Sequence, residues 1–321
     1  DAIVTQAEEP SFENTILAME VSGQLLNRVA TVFFSLSGAH TNDDIRALEQ
    51  QLAPALAAHD DAIVLNREMY AKIKALYDNR GNLQLDDESF RLLEKYSVDF
   101  IRAGAALTIE QQQRMKSINA QIAVLETEFS QNVLSEVNDL AIVVDSREEL
   151  TGLNEALIAA SEQEGKSREM PGKFVIPLLN TSNQPSLANL QNRALRERIH
   201  TTSLSRGSRG GEFDNRETLT SVLRLRAERA QLLGYENHSE YILENQTAGT
   251  VAAVNQRLAE LAPPAVVNAN REAADLQQMI ADDEQNFSLA SWDWDFYTEK
   301  LRAARFNFDE SKLRPYFELN N

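Results

Sequence analysis

Residues 108–136, TIEQQQRMKSINAQIAVLETEFSQNVLSE, decide the fold class. Met115, Ile118, Ile122, Leu125, Phe129 and Val133 recur at intervals of three and four, which puts them on one stripe of a long α-helix. Burying such side chains is worth roughly 1.5–3 kcal/mol each before entropy, so packing against neighbouring helices holds a helix of this kind more than propensity does. Thr108 with Gln111 offers a capping box for its start. A mainly helical protein follows.

Toward the N-terminus the same periodicity repeats. SFENTILAMEVSGQLLNRVATVFFSL reads as a helix starting near Ser11, and Thr41 or Asn42 can cap a second through Leu56. A third covers Ile63 to Leu76. NRGNLQLDDES is a polar break, after which Asp86 or Asp87 can cap a fourth helix to about Arg102. Beyond the long helix the pattern changes to two short β-branched runs, LAIVVDS (140–146) and KFVIPLLN (173–180), read as strands. Between them lies a helix ending at Gly165.

After the break NTSNQP an amphipathic stretch runs from Ser186 toward Leu204, and the domain boundary is placed at residue 190. RGSRGG (206–211) is basic and glycine-rich, but no P-loop lysine and serine or threonine follow it, so it reads as a flexible interhelical loop. Asp214 with Glu217 opens a helix ending at Gly234. Another begins at Val251, is broken or kinked after Ala262 by Pro263 and Pro264, and resumes toward Ile280. WDWDFYTEKLRAARF (292–306) reads as a helix capped by Ser291.

Composition narrows the function classes. The 321 residues, 43% hydrophobic and 25% charged, suit about two globular domains. A formal charge of -18 repels phosphate backbones, so no nucleic-acid partner is expected. The absence of cysteine excludes disulfides, thiolate ligands and a cysteine nucleophile. No run of 18 apolar residues exists, so no transmembrane segment is expected. Cytoplasmic residence is expected, or periplasmic if a leader was removed.

The search for chemistry returns little. His40, His59, His200 and His238 stand at no spacing that sets two ligands on one helix face, and no GxSxG pattern occurs. Asp282 and Asp283 are adjacent and diverge on a helix. Asn180, Asn237, Asn245 and Asn286 each open an Asn-x-Ser/Thr triplet, as chance allows in an Asn-rich chain. Trp292, Trp294, Phe296 and Tyr297 form either a peptide-binding ledge or core, with Asp293 and Tyr297 on one side of the helix.

Several runs, in order, carry a resemblance: FENTILAMEVSGQLLNRV, FFSLSGAHTND, FIRAGAALTIEQQQRMKSINAQIAVLETEFSQNVL, IPLLNTSNQPSL, LRLRAERAQLLGY, WDWDFYTEKLR and LRPYFELN. From Pro10 to Asn320 the chain resembles the N-terminal part of the thimet oligopeptidase family of zinc metallopeptidases, most closely its bacterial peptidyl-dipeptidase branch.

The resemblance implies a helical ellipsoid split by a channel. Residues 1–190 would be an N-terminal helical domain with two short strands, and 191–321 the leading helices of the catalytic domain, truncated before the zinc site. It further implies an intact enzyme that binds zinc and releases C-terminal dipeptides from short unfolded peptides, this chain supplying a channel wall and depending on the missing C-terminal catalytic part.

The family's His-Glu-x-x-His zinc helix has no counterpart in this sequence, so no catalytic, cofactor-binding or metal residue is assigned, and the chain alone is expected to hold no zinc and to be inactive. Two alternatives stand beside this reading: a stand-alone helical module that binds peptides or a protein without catalysis, and an oligopeptidase of the same family that cuts internally. A torn fragment should leave an apolar surface, expected here after residue 190.

Overall fold

In the long helix Ile109–Asp139 the capping box is closed in both directions: Thr108 N–H donates to Gln111 Oε1 at 3.1 Å, and Gln111 N–H to Thr108 Oγ1 at 3.2 Å. Met115, Ile118 and Ile122 of its stripe are buried, and Leu125, Phe129 and Val133 half-buried. The computed structural model describes residues 1–181, 183–306 and Tyr316. The rest of the segment LRPYFELN therefore lies outside the described residues.

Among the described residues helices dominate, with two short strands forming one antiparallel ladder. β1 (Ile142–Val144) pairs with β2 (Phe174–Ile176) in the register Ile142 to Ile176. The chain divides into two compact units that interleave in sequence. Residues 1–131 with 216–251 form the first, and 132–215 with 252–321 the second.

The first unit is built around Ile16, Met69, Ile73, Leu76, Leu93 and Phe100. Its helices start where short polar side chains can accept from exposed amides. Asn42 accepts from Ile45 N–H at 2.9 Å, Asn66 from Met69 N–H at 2.9 Å, and Asp86 from Ser89 N–H at 2.7 Å. Two expected boundaries move. The helix from Asn42 runs on through Pro54 to Val64 (Asp43–Val64), and the next, Arg67–Asp78, begins at the Asn66 cap rather than at Ile63. The helix expected from Ser11 is a π-type turn, Phe12–Leu17, and a three-residue turn, Ala18–Glu20. A new helix, Gln24–Ala39, begins after Gly23, whose left-handed backbone (φ 73°) ends the first run. Leu25, Val29 and Val32 of that helix are exposed.

The second unit buries Leu140, Ile142, Leu150, Ile176, Leu190 and Ile199 in one cluster, and Leu276, Ile280 and Tyr297 in another. Helix Glu155–Ser167 starts at the Asn154 cap, after a 3-10 turn at Arg147–Leu150, and passes Gly165 without ending there. Gly165 serves close approach instead. A Cβ at this position would lie 2.3 Å from the Lys173 carbonyl on the way into β2.

Pro185–Ala188 is a 3-10 turn, and the following helix Arg193–Leu204 is capped by Asn192, which accepts from Leu195 N–H at 3.2 Å. The 206–211 loop does join two helices, here Arg193–Leu204 and Arg216–Leu232, but it is pinned: Gly207 N–H donates to buried Glu136, Arg206 donates to Thr181 O at 2.9 Å, and Gly210 N–H donates to Asp214 at 2.7 Å.

Pro263 and Pro264 do not interrupt helix Val251–Asp282. Proline already has helical φ, so what the pair removes is two hydrogen bonds, at about 3 kcal/mol per residue against alanine in a helix interior. Along this helix Val254, Leu258, Leu261, Ala265, Ala269, Ala273, Leu276 and Ile280 hold one register of threes and fours. Cover lies toward its ends: Val251 and Val254 are half-buried and Leu276 and Ile280 buried, whereas every residue from 255 to 272 is exposed.

Candidate functional site

The Asn192 cap sets Arg193 and Arg196 one turn apart on the same face of their helix. Both reach Asp293, which closes the 3-10 turn Ser291–Asp293 by accepting from Ala290 N–H at 3.1 Å. This turn, rather than a Ser291 cap, begins the last helix, Trp294–Phe306. Asp293 is fully buried. It accepts from Arg193 Nε at 3.0 and 3.1 Å, Arg193 Nη2 at 2.8 Å and Arg196 Nη2 at 2.8 Å. Arg196, itself buried, spends its other donors on the carbonyls of Leu190 (2.8 Å), Gln191 (3.1 Å) and Trp292 (3.3 Å). Burial alone would raise the Asp293 carboxyl, but the Arg193 and Arg196 hydrogen bonds outweigh it and hold it below the usual carboxylate range.

Arg193 and Arg196 line a cavity of about 690 Å³ whose wall also includes Gly152, Phe287, Phe296, Tyr297 and Lys300. Every cation on the wall is engaged: Arg193 and Arg196 by Asp293, and Lys300 by Asp283. The cavity is polar but charge-balanced, which suits a structural joint more than capture of an anion. Asp293, in the 3-10 turn, and Tyr297, in the helix, are both buried, and Trp294 and Phe296 pack on the Leu276–Ile280–Tyr297 core. Trp292 stands apart, edge-on to His200 at 6.4 Å and 5.6 Å from the Arg193 guanidinium. Its place in a peptide ledge and the core role of its neighbours are thus separate matters. Arg193 and Arg196 carried no signal in the sequence, because an i, i+3 arginine pair on a helix usually faces water.

A second polar recess, about 300 Å³, lies in the first unit and includes Asp61, Asn119, Arg102, Arg229 and Tyr241. Asp61 is buried and accepts from Asn119 Nδ2 at 2.7 Å. Burial raises its pKa against the opposing Asn119 bond. A raised carboxyl binds its proton more tightly folded than unfolded, so this group costs stability at neutral pH and the cost fades as pH falls. Asp61→Asn is expected to raise the thermal midpoint at pH 7, with the gain disappearing below about pH 4, where the unfolded carboxyl also protonates. Melting curves at pH 7 and pH 4 check it, and an unchanged or lowered midpoint at pH 7 would contradict it.

Among the described residues zinc finds no donor set. His40 is exposed just after helix Gln24–Ala39, His59 is exposed on helix Asp43–Val64, and His200 Nε2 and His238 Nδ1 are buried without a hydrogen-bond partner among the described residues. Burial, then the charges of Arg226 and Arg229, push His238 below the usual histidine range and leave it neutral at pH 7. Among the described residues no three His, Cys, Asp or Glu groups are placed to hold a metal. The described helices also include none long and apolar enough to cross a membrane. Asn237, first residue of one of the Asn-x-Ser/Thr triplets, caps helix His238–Leu243 by accepting from Glu240 N–H at 3.0 Å.

Comparison with known proteins supplies what the geometry lacks. Residues 186–321 match the family model described as Peptidase family M3. The dipeptidyl carboxypeptidase of Escherichia coli is 37% identical over 319 residues, 99% of this chain and 47% of that protein. That of Salmonella typhimurium is 35% identical over 320 residues, 100% of this chain and 47% of the relative. Oligopeptidase A of Haemophilus influenzae is 28% identical over 320 residues, 98% and 47% respectively. The chain spans about half the length of the curated relatives it matches. It is a homologue of these peptidases along its whole length, in keeping with the resemblance carried by its segments.

Proposed function

We propose, on the premise of homology to M3 peptidases, that this chain is the N-terminal portion of a zinc metallopeptidase that releases C-terminal dipeptides from short, unfolded peptides. The carrying observation is end-to-end similarity that is higher to the dipeptidyl carboxypeptidases, 37% and 35%, than to oligopeptidase A, 28%. In this reading residues 1–190 form a helical domain and residues 191–321 the leading helices of the catalytic domain.

The donors among the described residues do not fit a zinc site, so no step of hydrolysis is assigned to these residues. Their role is to supply a channel wall that admits thin chains and keeps folded ones out. The Arg193–Asp293–Arg196 knot supports this, since it fixes the start of the last described helix rigidly without spending a free charge on substrate.

The intact enzyme is expected to remove a dipeptide from a peptide with a free C-terminus and to leave the same peptide untouched when that end is amidated. Mass spectrometry of the products decides it, and internal cleavage of the amidated peptide would move the protein to the oligopeptidase reading. Low apolarity on the exposed face would favour the alternative of a stand-alone binding module. Large apolar residues are instead exposed on helix Val251–Asp282, in the region after residue 190 where such a surface was expected, and also on Gln24–Ala39, where it was not.

A further inference from the structure

We propose that the bare stripe of helix Val251–Asp282 is the seat of a helix from the half of an M3 peptidase that this chain does not span, an inference that rests on the reading above. Three observations carry it. The stripe is one register whose C-terminal end, Leu276 and Ile280, is already buried in this unit, so the exposed part continues a packing face rather than starting a new one. Leu258 is 58% exposed and Leu261 50%, on a helix that also carries two interior prolines. Most helical stability in proteins comes from tertiary packing of an amphipathic face, and each interior proline costs about 3 kcal/mol against alanine, so cover must come from elsewhere. Finally, about half the length of the curated relatives lies outside what this chain matches, which offers a source of that cover.

The stripe also specifies the shape of its occupant. Leu258 and Leu261 are followed by Ala265 and Ala269, so the exposed end presents large side chains and then a shallow row of small ones. A facing helix with large apolar knobs opposite the alanines and smaller residues opposite the leucines would fill it by ridges into grooves. Rim charges are mixed, with Arg257 paired to Glu260 at 3.3 Å, so shape rather than charge selects the partner.

Hydrogen exchange tests the proposal on the full chain, alone and mixed with the part of Escherichia coli dipeptidyl carboxypeptidase outside the aligned residues. Alone, amides 255–272 should exchange far faster than those of residues 112–131. With that polypeptide present at a hundredfold excess over Kd, protection of 255–272 should rise by about 100-fold. Leu258→Asp and Ala265→Trp should each weaken binding by about tenfold or more while leaving the chain's own melting unchanged.

Full protection of 255–272 in the dilute chain alone, protection that depends on the chain's own concentration, binding that leaves these amides unprotected, or no binding would each overturn it. The peptidase reading fails separately. A complex that protects the stripe yet cuts no peptide with zinc present would sink that reading and leave the docking face in place.

Discussion

Asp293→Asn is expected to destabilise the second unit by about 3–5 kcal/mol, the cost of leaving buried charge without its counter-charge. The change keeps the shape of the side chain and removes only its charge and one set of acceptor lone pairs. Arg196 is 1% exposed and cannot turn to water, and its remaining partners are neutral carbonyls. Arg193, with a side chain 35% exposed, can partly rehydrate, so Arg193→Ala should cost less than Asp293→Asn. Urea unfolding followed at helix Arg193–Leu204 by hydrogen exchange gives the comparison. A loss under about 1 kcal/mol for Asp293→Asn, the size of a surface pair, would mean the knot is not a structural joint.

The sign of its pH dependence is fixed by the same contacts. A carboxyl held below its unfolded value stabilises fully above about pH 4 and loses that contribution as pH falls through the folded pKa. Asp61 acts in the opposite sense, since burial raises it.

Gly152→Ala is the second large effect. Gly152 has φ +100°, and a Cβ there would sit 2.0 Å from the Asn189 carbonyl oxygen. The clashing oxygen is main chain, so no rotamer change relieves the contact. Residues 189–191 would have to move, breaking the Gln191 N–H to Thr151 O bond of 2.9 Å and shifting the Asn192 cap that aims Arg193 and Arg196. Left-handed backbone for alanine and the displaced segment together should cost more than about 3 kcal/mol. For a unit of this size that is a fall of roughly 6 °C or more in thermal midpoint. A midpoint within about 2 °C of the parent would show that the segment yields easily.

Much of the fold was legible because it rests on local rules. The three-and-four stripe from Met115 to Val133, the Thr108–Gln111 box and the two β-branched runs each announce their element through side-chain chemistry within a few residues. What escaped depends on partners distant in sequence. Gly165 reads as a helix end until the Lys173 carbonyl is seen to pass close to it, and Pro263 with Pro264 reads as a break or kink from the lost donors, whereas one helix runs through both. Asp293 could be paired with Tyr297 from spacing alone, yet its arginines lie 100 and 97 residues away, beyond any pattern.

The most direct measurement is native mass spectrometry of the purified 321-residue chain with one equivalent of zinc, paired with a peptide-hydrolysis assay of the same sample. The mass of the metal-free polypeptide and no turnover above a zinc-only control are expected. A retained 1:1 zinc adduct that hydrolyses peptide would contradict the assignment of these residues to the part of the enzyme without the metal cage.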